Sequence, residues 1–300
     1  RMHRPLTAGS QAVAYERPAF APTPEQDPDM LLSAARYAAN AGYTRAQQEA
    51  YAIESHARAL AHQAVMANEI VPIMGVTHDV YPRAIDATRA ARMPLVARTD
   101  AAAADDTCAL STLTVSAQAD GAAFVLLVSP QACEEFKLSA KATWIAHASI
   151  GTAPQTPLLA AELAAQKVLQ LAGFNDAKAM RFVELHDAFA VQGLSFSKGL
   201  GLRPEKINPR GGGLSRGHPI GASAAIAPAG GPGSGGACPH RPAGAGLDRC
   251  RNLSAARRHH AGPLVGRPHW QCHVTHPHAP HPGAFGCRTG LQHVVGCGLG

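Results

Sequence analysis

The sequence predicts an α/β architecture on a mainly parallel sheet, followed by an irregular C-terminal tail, and three observations carry that expectation. From residue 120 to residue 198, apolar runs bounded by turn residues alternate with stretches of helical periodicity. Two consecutive helical stretches with clear cap signals precede them, and the composition changes abruptly after residue 226. Strand, helix, strand, helix is the pattern of a sheet whose crossovers are helical.

Taken in order, Asp27 is placed to cap a helix with Pro28 at its first position, running from Met30 to Ala39 until Asn40-Ala-Gly42 stops it. A second helix starts at once, with Thr44 and Gln47 as a capping-box pair. Its apolar stripe reads Ala46, Ala50, Ile53, Ala57, Leu60, Ala61, Ala64 and Val65. After Glu69-Ile-Val-Pro72 the pattern is irregular as far as Asp120-Gly121, which opens the unbroken apolar run Ala122 to Val128. Such a run suits a strand covered on both faces. Ser129-Pro130 caps a short helix, Ala142 to Ala148 reads as a strand, and Thr156-Pro157 starts an Ala/Leu helix ending near Gly173. Arg181 to Leu185 is a further strand and Asp187 to Lys198 a helix. His186 falls at the carboxyl end of that strand, where sites of α/β proteins form.

Charge and composition exclude several functions. The net charge is +6, yet lysine plus arginine balance the acids up to residue 226; the excess lies in the last 74 residues, with seven Arg, no Lys and only Asp248. That tail also holds five of the seven Cys and nine of the 16 His. Its Arg257-Arg258-His259-His260 lacks the aromatic interleaving of a nucleic-acid surface. His273, His276, His278 and His281, with Cys272 and Cys287, have irregular spacing with prolines between them, unlike a structural zinc site, so no metal is expected. No apolar window reaches about 18 residues, the length of a membrane span. Arg1-Met-His-Arg-Pro-Leu6 is no secretory signal, and the cytoplasm is the expected compartment. The tail's composition is that of a frame-shifted reading of a GC-rich gene, which translating the other frames would test.

Two histidines stand out. Val183-Glu-Leu-His186-Asp-Ala-Phe189 and Gly211-Gly-Gly-Leu-Ser-Arg-Gly217-His218-Pro219 present them on strand-ending and glycine-lined turns. Imidazole titrates nearest neutrality, so the pair suits acid/base and oxyanion-binding work. His56, His62, His78 and His147 have no such setting and read as structural. The glycines lack the Lys-Ser/Thr or the spacing of a phosphate loop. Asp187 reads as a carboxylate favoured at a helix start rather than as a third catalytic group.

These residues resemble the thiolase family, enzymes that make or break the bond between acyl units carried on coenzyme A. Ala8-Gly-Ser-Gln-Ala-Val-Ala14 is similar to the turn after the family's nucleophile segment. Asp27-Pro-Asp-Met30 and Gly42-Tyr-Thr-Arg-Ala-Gln-Gln-Glu-Ala-Tyr-Ala-Ile-Glu-Ser55-His56 resemble its loop domain, and Asp120-Gly-Ala-Ala123 the last strand of its first half. His-Asp-Ala-Phe and Gly-His-Pro-Ile-Gly-Ala-Ser complete the match, which spans about residues 8 to 225. The resemblance implies a five-layer sandwich of two α/β halves with an inserted loop domain. It divides this chain into a remnant of the first half (1–17), the loop domain over coenzyme A (18–105), the last strand and helix of the first half (106–136), the second half (137–226) and an anomalous tail expected to be disordered (227–300).

The same resemblance implies that His218 is the base for a nucleophilic cysteine and that His186 helps bind the thioester oxygen. Met30, Phe189, Gly217 and Pro219 would line the substrate and coenzyme A pocket. No cofactor is implied beyond coenzyme A thioesters as substrates, and family members form homodimers or homotetramers. The nucleophile segment lies upstream of Ala8-Gly9, where this chain begins, and neither Cys108 nor Cys133 has its small-residue setting. Cys297-Gly-Leu-Gly300 is a faint echo, distant in sequence, of the family's later Cys-x-Gly-Gly-Gly loop. Acyl transfer in fatty-acid or ketoacyl metabolism is therefore the expected class of function, with little turnover from this chain. Its rivals are a catalytically inactive coenzyme A- or partner-binding fragment and a tail-driven metal or polyanion binder.

Overall fold

A computed structural model describes residue 21, residues 23–99, 106–138, 140, 142–219, 222, 223, 225 and 226, and the backbone of two further strands, 269–277 and 294–299. The Ala8–Ala14 turn, Arg257 to His260 and the Cys/His side chains of the tail lie outside the described residues.

Helix α1, Met30–Ala41, is capped by Asp29, whose carboxylate accepts from Leu32 N at 2.9 Å. The expected cap, Asp27, instead ends a short 3-10 turn, Pro24–Gln26. Pro28 lacks an N–H, and Asp29 stands next to the first free backbone donors. Gly42 closes α1 with φ 74°, a left-handed conformation that glycine adopts without strain. Helix α2, Arg45–Ala61, begins with the expected capping box of Thr44 and Gln47.

Its buried face is not the expected one. Gln48, Glu49, Ala52, Ser55, His56 and Ala59 are buried, whereas Ala46, Ala50, Ala57, Leu60 and Ala61 face outward and Ile53 is half-buried. Hydrogen bonding decides the orientation: Ser55 meets Ser215 at 3.0 Å and takes Gly212 N–H at 3.1 Å. Ala59 gives the left-handed Gly211 close approach. A polar face with built-in partners outcompetes an alanine stripe that has little area to bury. Short helices α3, Gln63–Met66, and α4, Ala87–Ala91, follow, then strands β1, Leu95–Ala97, and β2, Leu110–Ser111, which pair antiparallel.

The apolar run Ala122 to Val128 forms no strand. It carries no assigned secondary structure and has no ladder partner among the described residues, with Phe124 98% and Leu126 78% exposed. Hydropathy alone allowed a covered strand; a strand also needs neighbours for its backbone groups. Helix α5, Pro130–Glu135, is capped by Ser129 as expected.

The second half is layered. Strand β3, Ala142–Gly151, leads through helix α6, Ala160–Leu171, to strand β4, Phe182–Leu185, and helix α7, Ala190–Gly199. The buried stripe Ala160, Ala161, Ala164, Ala165, Val168 and Leu169 of α6 packs on Ala148, Val183, Leu185 and Phe196. Helix α8, Gly213–Arg216, is one turn. The tail is not irregular throughout: strands β5, His269–Pro277, and β6, Val294–Leu299, join the sheet in the order β3-β5-β6-β4. Strand β5 is antiparallel to β3 and to β6, and β6 is parallel to β4. Strands β3 and β4 thus run in the same direction, as a helical crossover requires. Two strands separate them, so the sheet is mixed rather than mainly parallel. The ladder sets Cys297 opposite Leu185, one residue before His186, although the two are far apart in sequence.

Candidate functional site

The site grows from the end of β4, whose four residues are all buried. Asn208 fastens that end from both sides, its Oδ1 accepting from Leu185 N at 2.7 Å and its Nδ2 donating to Leu185 O at 2.8 Å. His186 follows directly and is 6% exposed. His218 arrives from the other direction, after α8 and Gly217, whose φ of 93° turns the chain. A Cβ on Gly217 would press on that of Ala119 at 2.8 Å. The two rings meet, with Nε2 of His186 3.0 Å from Nε2 of His218 and centroids 3.9 Å apart.

A third segment that sequence reasoning missed holds both loops. Residues 114–118 run between them: Ser116 N donates to Ala188 O and His218 N to Ala117 O. Ser116 Oγ lies 3.2 Å from His218 Nδ1. No spacing or periodicity marks Ser116 in Thr-Val-Ser-Ala-Gln, which is why only the structure reveals it. A bond between two Nε2 atoms needs one proton, so one ring carries Nε2–H and the other a lone pair. When His218 Nδ1–H donates to Ser116, its Nε2 is bare and His186 supplies the bridging proton.

Electrostatics keep the pair neutral. Burial, then the neighbouring His218 and Arg216, hold the pKa of His186 well below 6.5. Burial lowers that of His218 to about 4. Neutral imidazoles offer one donor and one acceptor each, the state a base and an oxyanion donor require. Beneath them Asp187 is fully buried, its pKa raised by burial to about 6 and opposed by hydrogen bonds from Tyr51 and Gly213 N. Asp187 does not cap the helix expected to start at it: α7 begins at Ala190 with no side-chain cap, and the carboxylate accepts instead from Gly213 N, the first residue of α8. Glu184, also buried, is raised to about 7 by burial against the pull of Arg216 and Arg210.

The remaining sequence-singled residues are dispersed around this pair. Phe189, 5% exposed, packs with Ala34, Leu110 and Val191, and Met30 lies partly buried against the same cluster. Half-buried Pro219 sits over Gly121, where a Cβ would come within 2.8 Å of the proline ring. His56 is buried, its Nδ1 3.4 Å from Arg83 N and its ring against Tyr81, away from the pair. Cys108 and Cys133 are not in disulfides; among the described residues, the ring partners of His218 are Ser116 and His186. The described residues contain no group of three or more His, Cys, Asp and Glu able to hold a metal ion. No described helix is long and apolar enough to cross a membrane.

An α/β domain thus brings two neutral imidazoles together, one on a strand end and one on a glycine-lined turn. Comparison with known proteins gives the family. Residues 23–131 match the thiolase N-terminal domain and residues 138–228 the thiolase C-terminal domain, together well over half the chain. The chain belongs to the thiolase family.

Relatives include the acetyl-CoA acetyltransferase of Chromobacterium violaceum, 33% identical over 201 residues, covering 65% of this chain and 50% of that protein. A 3-ketoacyl-CoA thiolase of Acinetobacter baumannii is 35% identical over 198 residues, covering 61% and 49%. Among solved structures, a thiolase of Ascaris suum in complex with coenzyme A superposes with a TM-score of 0.59 at 27% identity, covering 75% of this chain and 58% of that one. The acetyl-CoA acetyltransferase of Bacillus anthracis gives 0.62 at 26% identity, covering 69% and 53%. The chain spans about half the length of these relatives.

Proposed function

We propose that this chain supplies the base and oxyanion side of a thiolase-type acyltransferase acting on acyl- and 3-ketoacyl-coenzyme A. The contact of His186 Nε2 with His218 Nε2 at 3.0 Å carries this reading. In it, His218, with Nδ1–H given to Ser116, uses the bare Nε2 to take the proton of a cysteine thiol, since the thiolate is the attacking species. When substrate enters, the Nε2–H of His186 turns from His218 Nε2 to the thioester oxygen, on which charge builds, and so frees the His218 lone pair for the thiol proton. Met30, Phe189, Gly217 and Pro219 border the substrate and coenzyme A. The reading includes fatty-acid or ketoacyl metabolism and a homo-oligomer, as the family resemblance implies, and a cytoplasmic compartment.

The test is cleavage of acetoacetyl-coenzyme A by the purified chain, alone and after His218→Gln, beside calorimetry with coenzyme A. Binding without turnover favours the second reading, an inactive coenzyme A-binding member. That reading draws on His218, whose described ring partners include no cysteine. Absence of both binding and turnover sinks both readings.

A further inference from the structure

Three segments distant in sequence meet at the carboxylate next to His186. The Tyr51 hydroxyl, from α2, donates to Asp187 Oδ2 at 3.1 Å, while Asp187 Oδ1 accepts from Gly213 N. Two glycines admit the pair. A Cβ on Gly193 of α7 would collide with the Tyr51 ring and hydroxyl, and one on Gly212 with the Asp187 carboxylate and the Asn208 amide. The carboxylate in turn sets the backbone beside the His186 ring: a Cβ on Gly213 would stand 3.5 Å from His186 Cε1 and 3.0 Å from Asp187 O. One turn later the same segment delivers His218.

We propose that Tyr51 is a positioning residue for the histidine pair, acting through Asp187. Its hydroxyl holds the carboxylate in the orientation that ties the Gly213 turn to the His186 turn, and so sets the separation of the two Nε2 atoms. A buried carboxylate with its partners in place is rigid; one that loses a donor turns toward whatever donor remains. The ring has room to follow, because a cavity of about 300 Å³ lined by Tyr51, Ala50, Leu194, Pro204 and Ile207 lies against it. The inference rests on the pair being the reactive centre, and it links α2, in the region resembling the coenzyme A cover, to the chemistry.

The test reads the rings rather than turnover, so its failure is distinct from failure of the functional reading. In the full chain labelled at histidine, the imidazole nitrogen signals of His186 and His218 are followed through a pH titration. Tyr51→Phe and Asp187→Asn are compared with Tyr43→Phe as control. The groups facing Asp187 are Tyr51, Gly213 N and the Asn208 amide, with Glu184 close enough to share its field, and Arg216 faces Glu184 and the His186 ring. Tyr51→Phe and Asp187→Asn are expected to shift both rings' nitrogen signals and move their midpoints by about half a pH unit, roughly threefold in proton affinity; Tyr43→Phe moves neither. If Tyr51→Phe does not fold, 3-fluorotyrosine at position 51, a stronger donor of nearly the same shape, must shift the same signals. Unchanged signals in the folded variants overturn the proposal.

Discussion

Ser116 Oγ stands 3.2 Å from His218 Nδ1, on a segment that also accepts the His218 backbone N–H. The orientation of His218 is thus set from outside both histidine turns. With the Nδ1 proton given to Ser116, the Nε2 lone pair faces His186. Ser116→Ala is expected to mix the His218 tautomers, visible as a shift of its ring nitrogen signals toward Nε2–H, at about 1 kcal/mol of stability. Ring signals identical to those of the unsubstituted chain refute the assignment.

Gly212→Ala is expected to be among the costlier single methyl additions. Its Cβ would meet the Asp187 carboxylate and the Asn208 amide, and both groups are buried and already bonded. Neither can give way without breaking a hydrogen bond. The expected loss is about 1–3 kcal/mol. At Gly42 a Cβ would meet nothing within 4 Å, so alanine there costs only the left-handed backbone, about 1 kcal/mol. Denaturant midpoints of the two variants order them; equal losses refute the crowding.

Phe124→Asp is expected to leave thermal stability within about 0.5 kcal/mol, because the side chain is 98% exposed and contributes nothing to the core. The neighbouring Leu126 and Leu127 are exposed too, and such a patch promotes self-association. Sedimentation at rising concentration should show the variant less associated than the parent. A destabilised variant would mean that the run is covered.

What was legible in the sequence follows the range of the interaction. The Thr44–Gln47 box acts within one turn and is legible in the sequence; the cap falls on Asp29 rather than Asp27 because Asp-Pro-Asp offers two caps and only geometry selects one. The buried face of α2 is not legible in the sequence because its partners, Gly212 and Ser215, lie about 160 residues away. The Ala122–Val128 segment and the two tail strands are not legible for the same reason, since a strand is made by its neighbours. The candidate histidines came from their motifs. Their support came from the structure: Ser116, Tyr51 and Asn208 lie on other segments and carry no local signature.

Stability against pH should show two opposed arms, because the buried imidazoles and the buried carboxyls shift in opposite senses. His218 has a folded pKa of about 4, below its ordinary 6.5, and His186 shifts in the same direction. As pH falls through 6.5 the unfolded chain takes up protons that the folded chain refuses. Stability present above pH 6.5 is therefore lost toward pH 4, by at most about 1.4 kcal/mol per pH unit for each group. Glu184 behaves oppositely: its folded pKa of about 7 exceeds the ordinary 4.5, so its contribution is fully present below pH 4.5 and is lost as pH rises toward 7. His218→Asn should flatten the acid arm, whereas Glu184→Gln should raise stability most above pH 7 and hardly at all near pH 4. Denaturant titrations of both variants from pH 4 to pH 8 check the signs. A Glu184→Gln gain larger at pH 4 than at pH 8 would show that the buried carboxyl is ionised and paired rather than protonated.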